Sequence, residues 1–296
     1  MTQAMLSGTA IGALYVLMSL GFALNLEIAD IVNAAHGAFV VGGMYVTLEL
    51  VKAGVPVYLA VLLSGAVVGL LSYPVYVLLI RPARAERGHR SQLVFTLLLF
   101  SALTVAYQLL FSADVQTLGV RFASVELLGG VLTTAQIVAI AGALIISVAL
   151  YLIAKYTMLG KLAYVASRYP LGARSVGLPV DRVYGGVFVI AGCLAGLAGG
   201  IMMTFQPVVP TLGLTLLIVV FLVALVARTN LLGCLALGFV YGIVQATLSY
   251  TMDATTASTV TLFVFLIVLV GESVVRRSAH RYRLAASRRQ LVGAAR

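Results

Sequence analysis

Long apolar runs separated by short polar segments make up most of the chain. Eight runs are long enough to cross the roughly 30 Å hydrocarbon core of a bilayer as helices, and a ninth is shorter. The long runs span residues 5–24, 31–51, 57–80, 93–110, 136–154, 183–205, 231–249 and 259–275, and the short one spans residues 213–227. Because backbone groups in lipid must be paired within helices or closed barrels, this pattern predicts an all-α polytopic membrane protein with about eight to nine transmembrane helices. An internal inverted repeat and one broken or re-entrant segment are further expectations.

Basic residues concentrate in a few of the polar segments. Segments 81–90, 155–182 and 276–296, together with Arg228, hold 17 of the 19 lysines and arginines. Basic segments stay on the cytoplasmic side during insertion, so nine alternating crossings place the N-terminus outside and the C-terminus inside. A re-entrant hairpin made of two short neighbouring runs is the open alternative to this count. We expect a membrane domain at 1–275, followed by a basic cytoplasmic tail that anionic lipid attracts.

Composition agrees with this pattern. Hydrophobic residues make up 62% of the chain and charged residues 9%, and the mean hydropathy is +1.11, which excludes a water-soluble fold. The net charge of +10 is typical of nucleic-acid binding when it lies on a separable domain. Here the basic residues lie at the ends of apolar runs, so the charge indicates membrane topology, and no nucleic-acid partner is expected.

The basic segment 155–182, hereafter the 155–182 loop, is a polar island between two apolar runs. It carries five basic residues against the single Asp181: Lys155, Lys161, Arg168, Arg174 and Arg182. Connections of this length usually have a function. The loop is therefore predicted to dock a cytoplasmic partner, and a merely solvated basic loop is the alternative.

Polar residues also recur between the first two apolar runs, at Asn25, Glu27, Asp30, Asn33 and His36. One interpretation is an interfacial turn, with Glu27 and Asp30 in water and the other side chains satisfied by neighbouring helices. The other is a broken helix whose polar groups line a substrate route, because non-helical backbone at membrane depth is tolerated there. The residues alone leave both interpretations open.

Small residues one helical turn apart predict close helix packing. Gly8 and Gly12 form one such pair, and Gly192 and Gly196 form another. Small faces allow helix backbones to approach where lipid offers no hydrophobic drive.

The sequence contains no recognisable catalytic constellation, so we expect no enzyme activity. Gly160 and Lys161 are followed by leucine where a Walker motif needs serine or threonine, which indicates that the chain does not itself bind ATP. His36 has no companion ligands at metal-binding spacing, and no metal or other cofactor is expected.

Four sequence motifs carry a family resemblance. They are Gly12-Ala-Leu-Tyr15 through Gly21; Asn33-Ala-Ala-His36-Gly37; Arg81-Pro82-Ala-Arg84 followed by Ser91-Gln-Leu-Val-Phe-Thr96; and Gly160-Lys161 through Arg168, Pro170, Ala173, Gly177 and Asp181. Over nearly its whole length, the chain resembles the membrane permease subunits of branched-chain amino acid ABC transporters, a family that includes importers of urea and related small polar solutes.

The resemblance implies a permease of the bacterial cytoplasmic (inner) membrane that moves solute by alternating access. It implies three kinds of partner: a second homologous permease, two cytoplasmic ATPase subunits, and an external solute-binding protein that is periplasmic or extracellular. Membrane lipid is the further partner expected from the basic tail. ATP would be used by the partner subunits. An ion-coupled secondary transporter or channel is the alternative function, and such a protein commonly has carboxylates inside its spans.

The resemblance also assigns roles to particular residues. Residues 168–177 would form a short helix seated in an ATPase, and the ATPase-coupling residues of the loop would be Gly160, Arg168, Pro170, Ala173 and Gly177. The candidates for the transport pathway are Asn33, His36 and Gly37.

The chain departs from the family pattern in two places. The family's Glu-Ala-Ala within the loop appears as Leu171-Gly172-Ala173, which loses a carboxylate and predicts different or weaker ATPase contacts. Its Gly-Gly-x-Gly-Ser turn appears at 226–230 as Val-Ala-Arg-Thr-Asn, and the sequence leaves open whether the tight turn forms.

Overall fold

The chain folds as a helical bundle in a computed structural model that describes residues 1–87, 89–127 and 129–271. The helices are α1 (Thr2–Ala29), α2 (His36–Lys52), α3 (Val57–Val75), α4 (Arg81–Arg87), α5 (His89–Phe111), α6 (Thr134–Tyr156), α7 (Met158–Arg168), α8 (Pro170–Ser175), α9 (Val180–Met203), α10 (Leu212–Val226), α11 (Leu231–Leu248) and α12 (Ala254–Gly271). A π-helical turn, Tyr76–Ile80, joins α3 to α4. The predicted tail 276–296 lies outside the described residues.

Each of the nine predicted apolar runs overlaps a helix, and residues 272–275 of the last run lie outside the described residues. Within the described ranges, seven helical stretches have the length and composition to cross a membrane: α1, α3 with its continuation to Arg84, α5, α6, α9, α11 and α12. The other two, α2 and α10, have 17 and 15 residues and are shorter than the roughly 20 that a full crossing needs. The prediction of an all-α polytopic membrane protein is confirmed. The predicted number of eight to nine crossings is reached when the two short helices, α2 and α10, are counted with the seven long ones.

The centre of the bundle is formed by α1 and α9. In their most apolar stretches, 78% and 72% of the residues are buried, against 6% in α5. Helix α5 and the similarly exposed α6 and α12 present large apolar side chains to the surroundings, as Leu109 and Ile267 show. A helix that is apolar all round is buried or lies in lipid, so the central pair carries the core and these outer helices form the lipid-facing surface.

Close glycine contacts hold the central helices to their neighbours. A Cβ atom built on Gly12 would lie 2.8 Å from the Cα of Phe239 in α11, and one built on Gly8 would lie 2.7 Å from the Cα of Ile243. On α9, Gly192 and Gly196 pack in the same way against α3. The predicted close packing at both glycine pairs is confirmed.

A short β-hairpin covers the end of the bundle where α1 begins. Its strands, β1 (Ser124–Leu127) and β2 (Gly130–Thr133), pair antiparallel. The Gln3 side chain donates to the carbonyl oxygen of Val131 (2.9 Å) and accepts from its N–H (2.7 Å), which fastens β2 to α1. The apolar pattern did not predict these strands, because four residues are too few for a periodic signal.

At the same end, Asp253 caps α12. Its carboxylate accepts hydrogen bonds from the Thr256 hydroxyl (2.6 Å) and the Thr256 N–H (2.9 Å). These two bonds stabilise the charged form and lower the pKa of the Asp253 carboxyl below its ordinary value. The cap fixes the direction in which the chain enters its last described helix.

Candidate functional site

The 155–182 loop is built from two short helices. Helix α7 begins after Thr157, whose hydroxyl accepts the N–H of Gly160 at 3.3 Å. A Cβ atom at Gly160 would collide with the carbonyl of Ala154 at the end of α6, so only glycine allows this bend. The bend turns the chain away from the axis of α6 and into the loop.

Helix α8 lies within the predicted helix 168–177 but is shorter, and it contains two of the five residues that the resemblance assigned to the loop, Pro170 and Ala173. Pro170 occupies its first turn, where its missing N–H costs nothing. Gly177 ends the turn after α8 with φ of 81°, a left-handed conformation that favours glycine, and its N–H donates to the Arg174 carbonyl at 3.0 Å. Ala173 faces inward and is 1% exposed. The helix forms although Gly172 lies in its middle.

The outward face of α8 and its flanks is apolar and has no cover within the described chain. Tyr169, Leu171 and Val176 are 66%, 79% and 77% exposed. Large side chains of this kind, clustered on a polar loop, mark an interaction surface. Sequence reasoning assigned Ala173 to the loop's contacts, whereas the structure places it underneath this surface as a support.

Contacts with the bundle hold the loop in place. The Tyr184 hydroxyl donates to the carbonyl of Ala166 in α7 at 2.7 Å, and the Arg84 guanidinium lies 4.1 Å from the centre of the Tyr184 ring. The Tyr76 hydroxyl, in the π-helical turn, donates to the Asp181 carbonyl at 3.0 Å. The basic segment that begins at Arg81 therefore lies against the loop.

Open cavities lie at both ends of the bundle. One, of about 390 Å³, lies near the start of α1, and the other, of about 470 Å³, lies beside the loop. The one beside the loop is the larger, and its basic lining comes from Arg81, Arg174 and Arg182. Arg174 pairs with Asp181 at 3.3 Å across the same opening. This arrangement gives the surface around α8 a positive rim.

The polar segment between the first two runs contains a break from Asp30 to Ala35. Helix α1 continues through Glu27 to Ala29, and Asp30 then adopts a left-handed conformation with φ of 54°. The N–H of Ile31 donates to the Asn25 carbonyl at 3.0 Å, which closes the end of the helix. The break is buried on one side, since Ile31 is 0% exposed, whereas Asp30 is exposed.

Asn33 and His36 point into the bundle and are both 0% exposed. The Asn33 side-chain oxygen accepts the N–H of Ala35 at 3.0 Å, and Nε2 of His36 lies 3.0 Å from the carbonyl oxygen of Met18. A carbonyl only accepts, so Nε2 carries the proton. Within the described residues, the Asn33 amide nitrogen and His36 Nδ1 have no hydrogen-bond partner.

Gly37 is a packing position. A Cβ atom there would collide with the carbonyl of Gly213 at the start of α10. Sequence reasoning missed the buried Ser19 of α1, whose hydroxyl, like the side-chain amide of Asn25, has no partner in the described chain. The sequence signal for Ser19 is a polar residue inside an apolar run.

The helix is broken in this segment, Glu27 and Asp30 are exposed, and Asn33 and His36 are buried with unpaired polar atoms. A place for Asn33 and His36 on a solute route stays a prediction. Neither Asn33 nor His36 lines the cavities beside the loop or at the opposite end.

Glu27 connects the break to the loop and to the turn at 226–230. One carboxylate oxygen lies 2.8 Å from Nη2 of Arg168, and the other accepts the Thr229 hydroxyl at 2.6 Å. The turn forms without the family's glycines, because Arg228 and Thr229 both adopt left-handed conformations, with φ of 56° and 57°. Asn230 then caps α11 through the N–H of Leu232 at 3.0 Å.

Comparison with known proteins gives a sequence relative and a structural neighbour. The "Probable branched-chain amino acid transport permease protein LivH" of Methanocaldococcus jannaschii is 28% identical over 249 residues, which cover 80% of this chain and 78% of that protein. PsaBC from Streptococcus pneumoniae, solved in complex with a Fab, aligns with a TM-score of 0.52 over 90% of both chains at 14% identity, which shows a shared fold.

The family model described as "Branched-chain amino acid transport system / permease component" matches residues 4–271. The match includes the break between α1 and α2, the 155–182 loop and the turn before α11. The protein therefore belongs to the family of permease components of branched-chain amino acid transport systems.

Proposed function

We propose that this chain is the transmembrane permease subunit of an ATP-binding-cassette importer for branched-chain amino acids or related small polar solutes. It pairs with a second homologous permease and with two cytoplasmic ATPase subunits, and it receives solute from an external binding protein. The proposal places it in the cytoplasmic membrane of a bacterium, with the N-terminus outside and the 155–182 loop inside.

The observation that carries this proposal is the exposed apolar surface of α8 on a loop that is anchored to the bundle. Tyr169, Leu171 and Val176 form the exposed surface on which a partner would push. Such a push moves α7 and α9 together, because the Tyr184 hydroxyl bonds α9 to α7, and the Tyr76 hydroxyl extends the connection from α9 to the π-helical turn. Coupling of this kind needs a rigid element between the partner and the helices that move.

The distribution of carboxylates favours an ATP-driven importer over an ion-coupled transporter. In the described helices that cross the membrane, acidic residues lie in the first or last turn, as Glu27, Glu49 and Asp181 do. An ion-coupled transporter commonly carries such groups within its spans.

Affinity purification of the tagged chain from its native membrane in mild detergent tests the assignment. Mass spectrometry should identify a second permease and ATPase subunits in the eluate, and the eluate should hydrolyse ATP. Isolation of the chain without an ATPase, while uptake in the same cells depends on the proton gradient, would favour the ion-coupled alternative.

Asn33 is proposed to lie on the solute route, which makes its replacement informative. Asn33→Leu removes the unpartnered amide nitrogen and also the oxygen that accepts the Ala35 N–H, so a purely structural role predicts a loss of stability and assembly together with any loss of uptake. We expect assembly with the partner subunits to persist and uptake of labelled leucine, isoleucine or valine to fall about tenfold or more, a loss of roughly 1.4 kcal/mol or more.

Ser147→Ala provides the control for Asn33→Leu. Ser147 is also buried and polar, but its hydroxyl bonds only within α6, to the Ala143 carbonyl at 2.6 Å. Both variants should assemble, and only Asn33→Leu should lose uptake. Normal uptake by Asn33→Leu would give that residue a structural role.

A further inference from the structure

Glu27 joins three segments that are distant in sequence. It lies in the last turn of α1, its partner Arg168 ends α7, and its partner Thr229 belongs to the turn between α10 and α11. These partners are 141 and 202 residues away along the chain. One carboxylate therefore connects the central helix, the 155–182 loop and the start of α11.

The turn that Glu27 holds is strained. Thr229 is β-branched, and a left-handed backbone is unfavourable at such a residue. Its N–H donates to the Ala224 carbonyl at 2.9 Å, and its hydroxyl lies 2.6 Å from both Glu27 and the Arg228 carbonyl oxygen. The charged carboxylate is the stronger acceptor. The bond from Thr229 to Glu27 therefore helps to hold a conformation that the turn would not adopt alone.

Stability does not account for this arrangement. The Arg168 and Glu27 side chains are 59% and 43% exposed, and ion pairs at such exposed positions contribute little to stability. A comparable pair, Lys52 with Glu49, has the same 2.8 Å separation and 54% and 48% exposure, but both of its residues lie in the last turn of α2. The distinctive feature of Glu27 is therefore the set of segments that it connects.

The helix that carries Glu27 is also packed tightly against α11. Gly8 and Gly12 of α1 approach the α11 backbone, and the Met18 carbonyl of α1 bonds to His36 at the start of α2. A displacement of α7 that moves Glu27 therefore also moves α1, and α1 contacts both the solute-route candidate His36 and helix α11.

We propose that Glu27 is a positioning residue that transmits movement of the 155–182 loop to α1 and to the turn before α11. When α7 shifts, the bond to Arg168 pulls the end of α1, and the bond to Thr229 moves the strained turn with it. The inference rests on the proposed function, because the movement of the loop is attributed to ATPase subunits.

The test uses the intact complex, purified through the tagged chain and reconstituted in proteoliposomes with its solute-binding protein. The variants are Glu27→Arg, Arg168→Glu, the double charge exchange, and Thr229→Val, which keeps the β-branch and removes the hydroxyl. Glu49→Gln, which breaks the comparable exposed pair, is the control. For each, the bound ATPase is quantified, and import of labelled leucine, isoleucine and valine is measured per ATP hydrolysed.

We expect Glu27→Arg to retain bound ATPase and to import about fivefold less amino acid per ATP hydrolysed, the scale of a typical coupling free energy. Arg168→Glu changes a residue assigned to ATPase coupling, so its import is compared per ATP hydrolysed by the complexes that keep the ATPase, and this ratio should fall to the same extent. The double exchange should recover the ratio in part, to about the level of Thr229→Val, because the ion pair re-forms with reversed charges whereas an arginine at position 27 offers no acceptor to the Thr229 hydroxyl. Thr229→Val should also lower the ratio, and Glu49→Gln should leave it unchanged.

Unchanged ratios in both single variants, or a double exchange no better than either, would overturn the role of Glu27. Failure of the proposed function gives a separate result: the unaltered complex would contain no ATPase or would import none of the three amino acids with ATP. In that case the inference falls together with the function on which it rests.

Discussion

Val176→Asp is expected to abolish binding of the ATPase subunits while the permease remains folded in the membrane. Val176 is 77% exposed beside α8 and is not part of the buried core of the described chain, so its replacement should leave the fold intact. Docking would bury its side chain, which is worth roughly 1.5–3 kcal/mol, and a carboxylate in its place adds a desolvation cost. Together these effects predict at least about a hundredfold weaker association.

Val115→Asp is the matched control for Val176→Asp. Val115 is a 64% exposed valine in the segment after α5, at the end of the bundle away from the loop. Quantitative co-purification of the ATPase should distinguish the two variants, and Leu171→Asp should behave like Val176→Asp. If Val176→Asp and Leu171→Asp both retained the ATPase at wild-type levels, the surface around α8 would not be the docking site.

The second large effect is expected from Gly199→Leu, which should prevent stable folding of the bundle. A Cβ atom at Gly199 would lie 2.9 Å from the Val40 carbonyl carbon and 3.1 Å from the Met44 nitrogen, closer than real Cβ atoms approach backbone. Helices α9 and α2 would have to separate. Overpacking of ordinary side chains costs about 1–3 kcal/mol, and a collision with backbone should exceed that range.

Gly186→Leu provides the control on the same helix. Gly186 is exposed, and a Cβ atom there meets no other atom within 4 Å. Size-exclusion chromatography and thermal unfolding in detergent should show wild-type behaviour for Gly186→Leu and aggregation or a strongly lowered Tm for Gly199→Leu. A well-folded Gly199→Leu protein would mean that α2 and α9 do not pack as closely as described.

The membrane helices were largely predictable from the sequence, because a span must be apolar over most of its length. Their ends were less predictable. The first apolar run ends at residue 24, but α1 continues to Ala29. The helix can continue because the Asn25 side chain is buried within the protein and the Glu27 side chain is exposed at the helix end. The second run appeared to begin at 31, but the buried break delays α2 until His36.

The candidate site was only partly predictable. The charge pattern and the family motifs located the 155–182 loop, but not which of its side chains face outward: Ala173 is covered and Leu171 is exposed. The partners of Glu27 could not be inferred, since no local pattern relates residues 141 and 202 positions apart. The turn at 226–230 looked altered by its missing glycines, and the structure forms it by placing Arg228 and Thr229 in left-handed conformations.

The central claim is that ATP hydrolysis by partner subunits drives import through this chain. The most direct measurement is uptake of labelled leucine, isoleucine and valine by proteoliposomes that contain the purified complex, with the binding protein outside and ATP at the ATPase face. The account predicts uptake that requires hydrolysable ATP and persists when ionophores collapse the proton and sodium gradients. Uptake that continues without ATP and stops with the ionophores would contradict it.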